Sequence, residues 1–238
     1  KMYLVSKKYI VPETEVAELI KNNPMLLLVL ENFGITKFDK GITVSKLCNK
    51  AGINVNFFTL VCNLHNGFYI ENPGNISASD LPVIIGYLQR SHEYYRSEKY
   101  PEISGYIRDL RNAENSNILQ IIETYFYEYF EEVKEHIEYE EKSAFPYFFA
   151  LMDKKIPPVA EDYSSTEYKE HHTDIETKLN DLKDLFIHHV HIKNKNRIRR
   201  KLLNSLSELE FELKVHSHIE DMILIPLTNK IEQELKND

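Results

Sequence analysis

The chain has 238 residues, 42% hydrophobic and 28% charged, which is enough apolar material for one or two buried cores and too much for disorder. Only 7 glycines and a surplus of acids over bases, 37 to 29, argue against glycine-cradled phosphate sites and a large nucleic-acid surface. Two cysteines cannot form a disulfide framework, the longest nearly pure apolar run (Met25 to Leu30) is far short of the roughly 20 residues of a membrane span, and no secretory leader is recognisable, so a cytoplasmic, membrane-free protein is expected.

Residues 1–75 read as a small helical N-terminal domain. Short apolar segments, Val16–Ile20, Met25–Phe33, Val44–Cys48 and Phe57–Leu64, alternate with turn signals at Asn22-Asn23-Pro24, Gly34, Asp39-Lys40-Gly41 and Gly52. That spacing predicts four short helices, with Thr43 as an N-cap and Gly34 and Gly52 as stops. The stretch from Asn72 to Ser79 reads as a linker.

Residues 80–238 read as a second domain with longer helices. The first is capped by Ser79 or Asp80, carries Pro82 in its first turn and runs to about Ser97, where Pro101 ends or kinks it. The second runs from about Asn115 to Ala150, and a loop with Pro157-Pro158 follows. The third starts after Ser164 or Ser165 and runs to about Ile192, and the fourth covers about Asn196 to Leu235. Long helices with short connections predict an all-α chain built on an antiparallel up-down four-helix bundle.

An internal repeat carries the chemistry. His136, Glu140 and Pro146 form His-x3-Glu-x5-Pro, and His216, Glu220 and Pro226 repeat it. Glu128, Glu132, His136 and Glu140 parallel Glu208, Glu212, His216 and Glu220 at four-residue steps. One histidine lies 44 residues before each motif, His92 and His172, with His171 as the alternative to His172. Residues four apart share a helix face, so each His-x3-Glu pair can ligate one ion together. Two such hairpins bring four imidazoles and two carboxylates to one centre, a set suited to two ions bridged by Glu140 and Glu220. Imidazole with carboxylate suits iron, manganese or zinc rather than calcium or magnesium.

Neighbouring residues read more plainly. Glu132 and Glu212, one turn before the ligands, are candidate acceptors for a ligand's free N–H or relays of protons or metal. Tyr95, Tyr129 and the aromatic runs around Tyr125 and Phe145 read as core. His188, His189 and His191, near a helix end, read as dipole-compensating or solvated, and His218 is expected on the far side of the helix from His216.

On these residues, positions 80–235 resemble the hemerythrin-like cation-binding domain. Together with a short helical N-terminal domain the chain is similar to the iron-sulfur cluster repair (Repair of Iron Centres) di-iron family. The family's first histidine falls on His92. Its His-x3-Glu-Glu with a Phe-Pro step falls on His136, Glu140, Glu141, Phe145 and Pro146. Its third-helix histidine falls on His172, and its His-x-His-hydrophobic-Glu motif on His216, His218, Ile219 and Glu220. Glu132 matches a family glutamate, while His171 stands where the family has another.

The N-terminal resemblance covers about residues 14–70. Phe33-Gly34-Ile35 is present without the cysteines that follow it in the family, so a docking or dimerisation role is expected there rather than thiol chemistry. The resemblance implies two oxo- or hydroxo-bridged irons, with zinc or manganese as substitutes. It implies a stress-response protein that repairs damaged iron-sulfur proteins by delivering iron, or that binds and reduces nitric oxide. The alternative is an oxygen- or redox-binding or sensing protein without catalysis. Expected partners are damaged iron-sulfur proteins, nitric oxide or oxygen, and a second copy in a homodimer, with no nucleic acid and no membrane.

Overall fold

The computed structural model describes residues 7–70, 72–114, 116–153, 165–190 and 195–237, apart from the side chains of residues 165–174 and 236. The chain is all-α, and the described residues contain no β-strand, only an isolated bridge between Glu15 and Thr43. No helix among them is long and apolar enough to cross a membrane.

Four short helices come first: α1 (Val16–Asn22), α2 (Leu26–Asn32), α3 (Val44–Ala51) and α4 (Val55–His65). Their ends follow the turn chemistry. The Thr43 hydroxyl accepts from the Lys46 N–H at the start of α3, and Gly52 closes that helix at φ 67°. Beyond α2, Gly34 takes φ 76°, so that its N–H reaches the Glu31 carbonyl and the Ile35 N–H reaches the Leu30 carbonyl. This paired pattern satisfies carbonyls the helix end would otherwise leave bare.

The 72–79 stretch is tied down. Asn54, the cap of α4, donates to the Asn75 carbonyl and to Asp80, each at 2.9 Å. The expected cap at Ser79 or Asp80 lies instead at Ser77. Asp80 accepts the Ser77 N–H across a 3₁₀ turn (Ala78–Asp80) that leads into the next helix.

The longer helices are α5 (Leu81–Tyr94), α6 (Tyr100–Ala113), α7 (Asn117–Tyr139), α8 (Phe145–Met152), α9 (Ser165–His189), α10 (Asn196–Ile219) and α11 (Ile225–Asn237). Single wide π-helical turns, Tyr95–Lys99, Glu140–Ala144 and Glu220–Leu224, join α5 to α6, α7 to α8 and α10 to α11 without a break. Pro101 therefore does not end its helix. A proline has no N–H to give, and its ring clashes with the carbonyl four residues back. In all three wide turns the residue just before the proline bonds five residues back instead: Tyr100 to Tyr95, Phe145 to Glu140 and Ile225 to Glu220. The shift accommodates Pro101, Pro146 and Pro226 within continuous helix. The expected Pro157-Pro158 loop lies outside the described residues.

The chain divides into two compact units, Lys1–Arg90 with Phe148–Ile156 and His218–Asp238, and Ser91–Tyr147 with Pro157–Ser217. In the first, the Phe33 ring packs within 4.8–5.4 Å of Phe57, Phe58 and Tyr87. Arg90 donates to the Asn32 carbonyl at the end of α2. In the second, one core is shared by α6, α7, α9 and α10, with Ile107, Phe126, Leu182 and Leu206 among its buried members. There α7 packs on both α6 and α9.

Candidate metal centre

The second unit holds a buried cluster of imidazole and carboxylate at the last turn of α5, the end of α7 and the C-terminal part of α10. His92 and Glu140 are fully buried and His216 nearly so. Glu140 opens a wide turn one helical turn after His136, so both side chains lie on one face. Its carboxylate spans two histidines: one oxygen lies 2.8 Å from His136 Nε2 and the other 2.9 Å from His92 Nε2. The Nε2 atoms of His92 and His216 are 3.2 Å apart. Ligand atoms of His92, Glu140 and His216 all lie within 4.8 Å of one another.

On His92 and His216 the other ring nitrogen has a fixed partner. His92 Nδ1–H donates to Glu141 at 3.1 Å, and Arg96 forks the same carboxylate at 2.9 and 3.4 Å. The hydrogen bond from His92, with the Arg96 charge beside it, holds the Glu141 carboxyl below its ordinary pKa despite partial burial. His216 Nδ1 lies 2.8 Å from the Ser91 hydroxyl. The rings are packed as well: His92 stacks on Phe145 at 5.9 Å, and Tyr95 meets His216 edge-on. The Tyr95 hydroxyl donates to the Glu212 carbonyl at 3.2 Å. The cavity between the ligands is about 20 Å³, walled by Val133, Ile137, Ile175 and Leu213, with room for roughly one water.

Of the residues singled out from sequence, the structure brings together His92, His136, Glu140 and His216. Glu220 is buried where it opens its own wide turn, and it belongs to the other compact unit. His172 and His171 fall in α9 at positions whose side chains lie outside the described residues. Glu132 is half-exposed and pairs with Lys178 at 2.5 Å, away from any ligand N–H among the described residues. Glu212 is buried and meets Tyr95 through its backbone. His218 lies against the Tyr69 ring, both in the first unit. Tyr95 and Tyr129 are core residues.

Three contributors escaped the sequence reading of the centre: Ser91, Arg96 and Glu141 in its role as an N–H acceptor. Each is a neighbour or one-turn companion of a ligand. Only the fold says which way such a neighbour faces.

Cys48 and Cys62 are both buried, and burial pushes the Cys48 thiol up to about 12 and Cys62 higher than its ordinary value. Such thiols are poor nucleophiles. No family model and no curated protein sequence matches this chain.

Proposed function

We propose that the chain is a di-iron protein of the nitrosative and oxidative stress response, built as a hemerythrin-like up-down four-helix bundle. The observation that carries the reading is a single buried carboxylate, Glu140, facing the Nε2 atoms of His92 and His136. The core shared by α6, α7, α9 and α10 supports the bundle. The donor set fits a metal: imidazoles with a carboxylate, in a small pocket with apolar walls, with the outward nitrogens of His92 and His216 already partnered. His92, His136, Glu140 and His216 would hold it, with His172 and Glu220 completing a pair of ions by the sequence repeat.

Bound iron would supply open coordination positions and one-electron chemistry toward nitric oxide or oxidants, and in iron delivery it is itself the cargo. The protein's own part is to hold the imidazoles in the ligating tautomer, through Glu141 and Ser91. Val133, Ile137, Ile175 and Leu213 keep bulk water out.

Metal analysis of anaerobically purified protein tests the reading. Two irons per chain, with oxo-bridge absorption on oxidation, are expected. Zinc alone, or no metal after anaerobic iron reconstitution, overturns it. With iron in place, restored activity of an oxidised iron-sulfur enzyme supports delivery, and a stable oxygen adduct in its absence overturns delivery in favour of a carrier.

A further inference from the structure

The two facing imidazoles are held from behind by different chemistry. His92 turns Nδ1 to a carboxylate that Arg96 anchors with two hydrogen bonds. His216 turns Nδ1 to a neutral hydroxyl, Ser91. A carboxylate has no proton to offer at that contact, so His92 Nδ1 carries a hydrogen there, and a metal held beside Glu140 would take the lone pair of Nε2. An anionic acceptor also draws on the Nδ1–H bond and enriches the ring, which makes Nε2 a stronger donor to a metal. A hydroxyl orients its imidazole with less polarisation, because a neutral acceptor gives a weaker hydrogen bond than a charged one. Ser91 and His92 are adjacent, so one turn of α5 supplies both a ligand and the other ligand's support.

We propose that Glu141, anchored by Arg96, is a positioning residue that makes His92 the stronger donor, while Ser91 orients His216 without strengthening it, so that the two facing imidazoles are electronically unequal. This rests on the metal reading above, but not on the number of ions, their identity or the fate of any gas.

The test is anaerobic titration of the metal-free full chain with cobalt(II), read by visible ligand-field bands and by competition with a chromophoric chelator. Glu141→Gln keeps the shape and loses the charge. It should weaken cobalt about tenfold and move the bands to longer wavelength. Ser91→Ala should weaken binding less and leave the bands nearly in place. Arg96→Gln should reproduce part of the Glu141→Gln effect, and Arg96→Lys should recover some of it. Wild-type affinity and bands in Glu141→Gln overturn the proposal, as does a larger effect from Ser91→Ala. If Glu141→Gln does not fold, the two Arg96 variants decide by the same readouts, and wild-type behaviour in both overturns it. A wild-type chain that takes up no cobalt overturns both this and the metal reading. Normal uptake that Glu141→Gln leaves unchanged overturns this alone.

Discussion

The two copies of the repeat share a backbone and differ in their surroundings. Both pass from an α-helix into a wide turn at the glutamate, with a proline two residues beyond the turn. Their apolar positions also correspond: Ile122, Phe126, Tyr129 and Val133 in the first copy match Leu202, Leu206, Leu209 and Leu213 in the second, and all are buried. The acidic positions do not correspond. Glu132 is half-exposed on Lys178, whereas Glu212 is buried. Glu128 is exposed, whereas Glu208 pairs with Lys99, a buried lysine that Glu102 also holds. Burial opposes the Lys99 charge, yet the hydrogen bonds it donates to Glu208 and Glu102 outweigh that and raise its pKa. A repeat in sequence thus reproduces helix, turn and apolar stripe, while the environment of each charged residue is set by what packs against it.

The comparison can be broken most directly at the ligands. Glu140→Gln keeps the volume and removes the charge facing two imidazoles, so metal affinity should fall by more than about 100-fold, beyond the range for outer-sphere changes. Competition titration against a chelator measures this, and near-wild-type affinity would remove Glu140 from the centre.

Next come the matched apolar positions. Leu213→Ala opens the cavity wall in the second copy and should cost about 2–5 kcal/mol in denaturant unfolding, with Val133→Ala costing less because fewer atoms are removed. A reversed order would mean that the two copies are not packed alike.

Among the acids, Glu208→Gln weakens a charged hydrogen bond to Lys99 and should destabilise by about 1 kcal/mol. Glu128→Gln, its exposed counterpart, should stay within about 0.5 kcal/mol of wild type. Equal effects would show that the contrast in burial has no energetic weight.

The smallest effect concerns pH. Glu210 is paired with Lys183 and Lys214, and its counterpart in the first copy is Phe130. Burial alone would raise the Glu210 carboxyl, but the two lysines outweigh it and hold it below its ordinary value. A carboxyl lower when folded than unfolded stabilises the fold above the ordinary carboxylate pKa and loses that contribution as pH falls through the lowered value. Glu210→Gln should therefore lower stability by about 0.5–1 kcal/mol at neutral pH and converge with wild type in acid. Parallel curves across the acid range would contradict the assignment.

Periodicity and spacing by themselves pointed to a helical chain, to four short helices at its start with Thr43 and Gly52 as ends of α3, and to a six-residue ligand set of which the structure brings together His92, His136, Glu140 and His216. The reason is local: hydrogen-bond capping and the four-residue face of a helix are properties of consecutive residues. Pro101 shows the limit of that locality, because whether a proline breaks a helix or sits behind a wide turn depends on whether the helices beyond it are held by a core. Only tertiary structure decided that Glu141, and not Glu132, accepts the N–H of His92. Partners such as Ser91 for His216 and Arg96 for Glu141 are 125 and 45 residues apart in sequence, and burial that turns a solvated charge into a support is created only when helices distant in the chain close around it.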